Sequence, residues 1–104
     1  MYFPYSMGET AENIAKQWNI SRHAQDEFSH ESQQKYAAAD LAGKWTNEIV
    51  PLQVQVGKEL FDMEKDEHPR LTSIEKLGQL KPAFIKEGTV TAGNSSGIND
   101  GAAA

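Results

Sequence analysis

Three features of this chain have residue types that could do chemistry: its histidines, an acidic turn and a glycine-rich tail. His23 and His30 are seven residues apart, whereas metal-binding pairs on helices favour a spacing of three or four. His68 lies in the acidic segment EKDEHPR, where adjacent carboxylates are usually solvated. We therefore interpret His23 and His30 as solvent-exposed polar residues and His68 as structural, and predict no metal site.

The tail TVTAGNSSGINDG has the composition of a backbone that approaches a ligand closely. A strand-like TVTA leads into small residues and then into INDGAAA, which begins to read as a helix. Such a turn offers unpaired amides to an anionic or carbonyl-bearing ligand. The same residues also fit an ordinary turn with a capping Ser or Asn, and the pattern alone leaves both interpretations open.

No complete catalytic machinery is recognisable in the sequence. It has no nucleophile elbow, no phosphate loop ending in Gly-Lys-Ser/Thr and no dinucleotide fingerprint. It also has no cysteine, which excludes a thiol nucleophile, disulfides and zinc-thiolate sites from these residues. We therefore predict no catalytic residue in this chain.

The composition limits the class of protein further. At 104 residues the chain forms one domain at most, or part of one. Its net charge is −5 and its Lys and Arg residues are scattered, which argues against a nucleic-acid or anionic-membrane partner. No apolar run approaches about 18 residues and no signal pattern is seen, so we expect a cytosolic protein.

The first helix is predicted over about residues 8–19, after an extended opening segment, MYFPY. Ser6 and Glu9 have the spacing of a capping box, in which the serine oxygen accepts an otherwise unpaired amide. Glu12 is expected outside the apolar face. That face is predicted to contain Met7, Ala11, Ile14, Ala15 and Trp18.

A second, longer helix is predicted over residues 22–42. Ser21 precedes it as a cap, the run contains neither proline nor glycine, and Gly43 supplies a stop. We expect its apolar residues to pack against the rest of the protein, and the two tryptophans to act as packing anchors. These residues are Ala24, Phe28, Leu41, Trp18 and Trp45.

The second half of the chain is predicted to be mixed. A strand is expected over residues 49–56, interrupted at Pro51, and a short one over 59–63. A short helix follows through residues 74–80, then a strand at TVTA and the start of a helix at INDGAAA. The fold class is therefore α+β or α/β, mostly helical.

Several stretches in this order resemble one family, the thiolases, which make or cleave β-ketoacyl-CoA thioesters. MGETAENIAKQW is similar to their MG-x-TAEN motif, and ISRHAQDEFSHESQQK to ISR-x-x-QD-x-F-x-x-x-SQ-x-K. EIVP, DEHPR and the tail LKPAFIKEGTVTAGNSSGINDGAAA also resemble thiolase segments. The similarity covers nearly the whole chain.

The resemblance implies a fold and an activity. Thiolases have two similar α/β halves with a loop domain that covers coenzyme A. Residues 1–88 resemble most of that loop domain, and residues 89–104 its return into the amino-terminal half. The implied reaction is condensation or thiolytic cleavage through a cysteine acyl-enzyme, with coenzyme A or acetyl-CoA as substrate and no permanently bound cofactor. The catalytic cysteines and histidine of the family have no counterpart here.

The resemblance also implies a set of coenzyme A contacts. Met7 resembles a residue near the pantetheine and acyl end, and Ser6 stands where biosynthetic members often have histidine. Arg70 resembles an arginine beside the nucleotide, and Lys76 takes the place of a serine that contacts it. The remaining expected contacts are apolar wall residues, for which core packing is the alternative, and small residues along the pantetheine arm: Leu80, Phe84, Ala92, Ser96 and Gly97.

The implied partners are an acyl-CoA substrate, the remainder of a thiolase chain, and further copies in a homodimer or homotetramer. Two alternatives stand beside this hypothesis. One is a free-standing, non-catalytic binding or interaction module; the other is a coenzyme A binder with a regulatory or carrier role. A free-standing module is expected to have a self-sufficient surface, whereas a thiolase segment is expected to expose apolar side chains.

Overall fold

The computed structural model describes residues 5–104, so most of the predicted extended opening, residues 1–4, lies outside the described residues. Three helices and two strands follow one another as α1 (Met7–Gln17), α2 (Arg22–Leu41), β1 (Leu52–Val56), β2 (Glu59–Met63) and α3 (Ile74–Gly78). The described residues thus contain helices and a small two-stranded sheet, as expected for the predicted mixed class, α+β or α/β and mostly helical.

Helix α1 begins as the capping pattern predicts. The Ser6 hydroxyl oxygen accepts a hydrogen bond from the Glu9 N–H at 3.2 Å. The predicted buried face is confirmed for Ala15, but α1 also buries Gly8 and Glu12, which were not expected on it. Its large apolar side chains are exposed: Met7, Ile14 and Trp18.

Helix α2 has the expected limits. The Ser21 hydroxyl accepts from the Ala24 N–H at 3.0 Å, and Gly43 follows the helix with φ +73°, a conformation that glycine adopts without strain. Ala24, Phe28 and Leu41 are exposed, so the predicted packing of these side chains is not found within the described residues.

Strands β1 and β2 form an antiparallel hairpin, with Leu52 opposite Met63 and Val56 opposite Glu59. Gly57, at φ +61°, allows the two-residue turn between them to match the strand twist. The prediction for β2 is confirmed. The first strand starts only after Pro51, which has no N–H for a ladder.

Helix α3 is capped by Ser73, whose hydroxyl accepts from the Lys76 N–H at 3.3 Å. The predicted strand at TVTA is wrong, because residues 89–92 have no strand pairing. The amides of residues 89–91 bind side chains instead. The predicted helix start at residues 98–104 is also not formed.

The chain divides into two compact units, which we describe separately. Unit 1 contains Met1–Ser32 and Thr72–Ala104, and its buried apolar residues are Ala15, Leu77 and Val90. Three polar residues are buried with them: Glu12, Asp26 and Thr91. Unit 1 therefore has an unusually polar interior, in which polar side chains are buried beside a small apolar core.

Unit 2 contains Gln33–Leu71 and is organised around an aromatic pair. Tyr36 stacks on Trp45 with ring centroids 5.7 Å apart. The Tyr36 hydroxyl donates to the Asp66 carboxylate at 2.8 Å. This hydrogen bond, with burial and the charges of Asp66 and Asp40, raises the pKa of Tyr36 to about 12.

Within residues 5–104, no helix has both the length and the apolar content needed to cross a membrane. The same residues contain no group of three or more His, Asp or Glu side chains placed to hold a metal ion. His23 is exposed and lies 3.0 Å from the Glu27 carboxylate. The predicted solvent exposure is wrong for His30, which is half-buried, and its Nδ1 has no hydrogen-bond partner among the described residues.

Candidate functional site

The tail of unit 1 is held to α1 by one buried carboxylate. Glu12 accepts from the Thr89 N–H, with its two oxygens at 2.7 and 3.0 Å, and from the Thr89 hydroxyl at 2.8 Å. It also accepts from the Val90 N–H at 2.5 Å. Only 8% of the Glu12 surface is exposed, so these bonds form largely away from water. One side chain thus accepts hydrogen bonds from two backbone amides that would otherwise be available for strand pairing.

The environment of Glu12 favours its charged form. Burial by itself would raise the pKa of the carboxyl. The hydrogen bonds from the Thr89 side chain and from the backbone of Thr89 and Val90 outweigh burial and hold the pKa below its ordinary value of 4.5. Glu12 is therefore an ionised acceptor at neutral pH.

The tail then folds into a turn closed by its own side chains. Asn94 Oδ1 accepts from the Thr91 N–H at 2.8 Å, and Thr91 Oγ1 accepts from the N–H groups of Gly93 and Asn94 at 3.1 and 3.3 Å. The Ser95 hydroxyl donates to the Thr91 carbonyl at 2.6 Å. These local bonds compete with sheet pairing and explain why β-branched residues here do not form a strand.

A second buried carboxylate links this turn to α2. Asp26 Oδ1 accepts from Asn94 Nδ2 at 3.1 Å, and Asp26 Oδ2 accepts from Arg22 Nε at 2.8 Å. Arg22 Nη2 donates to the carbonyls of Leu77 and Leu80, at 2.6 and 2.9 Å, where α3 ends. Arg22, Asp26 and Asn94 thereby connect three segments of unit 1.

Apolar contacts bring the expected wall residues next to glycines. A Cβ atom placed on Gly93 would lie 2.6 Å from Leu80 Cδ1 and 2.7 Å from Leu77 Cδ2. A Cβ atom on Gly8 would collide with the Phe84 ring. Leu80 therefore lies against the tail turn beside Ala92, and Phe84 lies against the start of α1 beside Met7.

Most of the predicted contact residues are exposed on unit 1. Met7 is 86% exposed, Phe84 47% and Leu80 40%, so core packing does not account for them within the described residues. Lys76, Ala92 and Ser96 are exposed and Gly97 is half-buried. We use the name tail surface for five of these predicted contact residues of unit 1: Leu80, Phe84, Ala92, Ser96 and Gly97. Arg70 belongs to unit 2, is exposed, and donates its backbone N–H to Gln33 Oε1 at 3.0 Å.

Sequence reasoning missed the residues that hold this surface in place. It placed Glu12 on the outside of α1, and it assigned no contact to Arg22, Asp26 or Asn94. The signal that could have identified them is a set of motifs: Glu12 lies in MGETAEN, and Arg22 and Asp26 lie in ISRHAQD. Polar residues that recur in motifs but serve no catalytic role are candidates for buried structural bonds.

The chemistry of this arrangement is suited to holding a ligand. The buried carboxylates are occupied by hydrogen bonds from the protein itself, and the chain has no cysteine. The exposed residues are apolar or small, which is the chemistry of a wall along which a flexible, uncharged chain can pass.

Comparison with known proteins identifies the family of this chain. The family described as "Thiolase, N-terminal domain" matches residues 1–104. The chain belongs to the thiolase family. Among curated thiolase-family relatives, it is 56% identical over 101 residues to the acetyl-CoA acetyltransferase of Escherichia coli (strain K12). It is 49% identical over 104 residues to the acetyl-CoA acetyltransferase of Rhizobium meliloti (strain 1021).

Solved thiolase-family structures share the fold. The acetyl-CoA acetyltransferase of Bacillus anthracis superposes with a TM-score of 0.82 at 47% identity, over 90% of this chain and 24% of that one. Human mitochondrial 3-ketoacyl-CoA thiolase superposes with a TM-score of 0.82 at 45% identity, over 88% of this chain and 24% of that one. The chain therefore has part of the thiolase fold.

The matched region covers nearly all of this chain but only a small part of each relative. The E. coli relative is matched over 96% of this chain but only 26% of its own length. The R. meliloti relative is matched over 99% of this chain and again 26% of its own length. This chain thus spans about a quarter of the length of the curated thiolase relatives.

Proposed function

We propose that this chain is the coenzyme A-covering part of an acyl-CoA C-acyltransferase. The whole protein would condense acyl-CoA molecules, or cleave β-ketoacyl-CoA by thiolysis, through a cysteine acyl-enzyme. The observation that carries the proposal is the 56% identity, over 96% of this chain, to an acetyl-CoA acetyltransferase. Residues 1–88 would form most of the loop domain, and residues 89–104 would return into the amino-terminal half.

Within this proposal the tail surface lines the passage of the pantetheine arm. Leu80 and Phe84 supply apolar walls, and Ala92, Ser96 and Gly97 leave room because their side chains are small. The closeness of Leu80 to Gly93 supports its place beside the tail turn, and Phe84 lies against Gly8 at the start of α1. Met7, which follows the helix cap, would lie near the acyl end.

The charged contacts are proposed for the nucleotide end of coenzyme A. Arg70 in unit 2 has an exposed guanidinium, a group suited to pairing with phosphate or stacking on adenine. Lys76 in unit 1 also has an exposed side chain and would reach a phosphate. The whole protein would use coenzyme A as part of its substrate, with no permanently bound cofactor.

The whole protein is proposed to be a cytosolic homodimer or homotetramer. Exposed apolar residues of this chain support packing against further polypeptide, because isolated soluble domains rarely expose so many. They include Phe28, Leu41, Val50 and Ile98. This observation favours a thiolase segment over a free-standing interaction module.

Filling the tail surface tests the proposed binding role. The protein to use is a chimera in which this chain replaces the matched segment of the E. coli acetyl-CoA acetyltransferase. We expect Ala92→Trp to raise the KM for acetyl-CoA by about tenfold or more, because the indole would occupy the passage of the pantetheine arm. Steady-state kinetics of acetyl transfer between acetyl-CoA molecules gives the measurement.

The matched control is Ala38→Trp, an exposed alanine of α2 in unit 2. It adds the same indole outside the proposed contacts and is expected to leave KM unchanged. A folded Ala92→Trp chimera with the KM of the unsubstituted chimera would refute the proposed passage.

A further inference from the structure

Asp26 occupies an unusual position for a carboxylate, because it is 2% exposed and both of its oxygens are used by different segments. Oδ2 binds Arg22 in the same helix, and Oδ1 binds Asn94 in the tail turn. A buried carboxylate is tolerated only when it is paired and hydrogen-bonded. The guanidinium of Arg22 supplies the pairing charge, and the Asn94 amide satisfies the remaining oxygen.

The two partners of Asp26 hold the two sides of the tail surface. Arg22 binds the carbonyls of Leu77 and Leu80, and so fixes the segment that carries the Leu80 side chain. Asn94 binds the Thr91 N–H and the Thr89 carbonyl, and so fixes the turn between Ala92 and Ser96. Asp26 joins these two sets of hydrogen bonds, because it accepts from both Arg22 and Asn94.

The chemistry of the network requires an acceptor at position 26. Arg22 Nε and Asn94 Nδ2 are both donors, and Asn94 has its Oδ1 committed to the Thr91 N–H. An asparagine at position 26 would therefore turn its amide toward a donor, whichever way it is oriented. The network cannot adapt to Asp26→Asn without moving the turn or the end of α3.

We propose that Asp26 is a positioning residue for coenzyme A, which sets the separation between Leu80 and the 92–97 segment of the tail surface. The inference rests on the proposed function and deepens it. Asp26 does not touch the ligand. It acts through Arg22 and Asn94, and it determines how closely the two walls approach the pantetheine arm.

Asp26→Asn in the chimera tests this role through a split between KM and kcat. We expect the KM for acetyl-CoA to rise by about tenfold, the scale on which displacing a positioned group acts, while kcat changes much less. A purely structural role would reduce the fraction of folded enzyme, and thus the apparent kcat, and leave KM unchanged. That second result would overturn the proposal.

Two further variants make the test decisive. Glu27→Gln removes the same charge one residue away, from a carboxylate with 59% of its side chain exposed, and is expected to leave both constants unchanged.

Arg22→Lys keeps the charge beside Asp26 but removes the fork that reaches both carbonyls, and is expected to raise KM even if Asp26→Asn does not fold. An unchanged KM in folded Arg22→Lys would also overturn the proposal.

The unsubstituted chimera separates the two levels of inference. If it transfers no acetyl groups although it is folded, the proposed function fails. If it is active and neither Asp26→Asn nor Arg22→Lys changes KM, only the positioning role fails.

Discussion

Glu12→Ala is expected to release the tail from α1, with a local loss of about 3 kcal/mol or more. The substitution leaves the N–H groups of Thr89 and Val90 without an acceptor, and each unsatisfied buried donor costs about 1–3 kcal/mol. In the chimera, amide hydrogen exchange over residues 89–95 should therefore accelerate by about 100-fold. Mass spectrometry of peptides that cover this segment gives the measurement.

Glu9→Ala is the matched control, because it removes a carboxylate from the same helix that accepts no hydrogen bond from the tail. It is expected to leave exchange over 89–95 unchanged, and the β1–β2 hairpin should be unaffected in both variants. Equal exchange over 89–95 in the Glu12→Ala and unsubstituted chimeras would show that Glu12 does not hold the tail.

The contribution of Glu12 should also depend on pH. The folded-state pKa lies below 4.5, so the stabilisation is present above about pH 4.5 and is lost as pH falls through the folded pKa. The difference in Tm between the unsubstituted and Glu12→Gln chimeras should therefore be largest near neutral pH and shrink in acid. A difference that stays constant with pH would contradict an ionised Glu12.

Gly88→Ala is expected to have an effect of similar size through a steric clash. A Cβ atom at this position would overlap the Glu12 carboxylate and lie 2.9 Å from the Ile85 carbonyl oxygen. The carboxylate cannot easily move aside, because it is fixed by its bonds to Thr89 and Val90. We expect a loss of about 1–3 kcal/mol from overpacking, together with faster exchange over residues 89–95.

Gly78→Ala is the control for Gly88→Ala, since a Cβ atom there meets no heavy atom within 4 Å. It should be neutral or slightly stabilising, because alanine is the better helix former at the end of α3.

The double variant Glu12→Ala with Gly88→Ala tests whether the loss in Gly88→Ala comes from a clash with the Glu12 carboxylate. Removing the carboxylate removes much of the clash, so the two losses should be strongly non-additive, and full additivity would refute the steric mechanism.

Local signals in the sequence predicted much of the fold. The caps at Ser6, Ser21 and Ser73, the stop at Gly43 and the strand at residues 59–63 depend on neighbouring residues and are confirmed. Such signals need no knowledge of distant contacts. Predictions that rest on such local signals therefore agree with the structure.

The tail could not be predicted in the same way. The β-branched residues of TVTA favour a strand, but the amides of Thr89 and Val90 bind a side chain that lies 77 and 78 residues earlier. Helical periodicity likewise places a glutamate outside, although Glu12 is buried because those amides satisfy it. Both errors have one cause, a long-range polar contact that overrides local preference.

Acetyl transfer by the chimera is the most direct test of the central claim, that this chain supplies the coenzyme A-covering part of a thiolase. The proposal predicts that the folded chimera transfers acetyl groups between acetyl-CoA molecules at a rate within about tenfold of the E. coli enzyme. It also predicts that the isolated chain, which has no cysteine, shows no exchange above the buffer background. A folded chimera without activity, or an active isolated chain, would contradict the account.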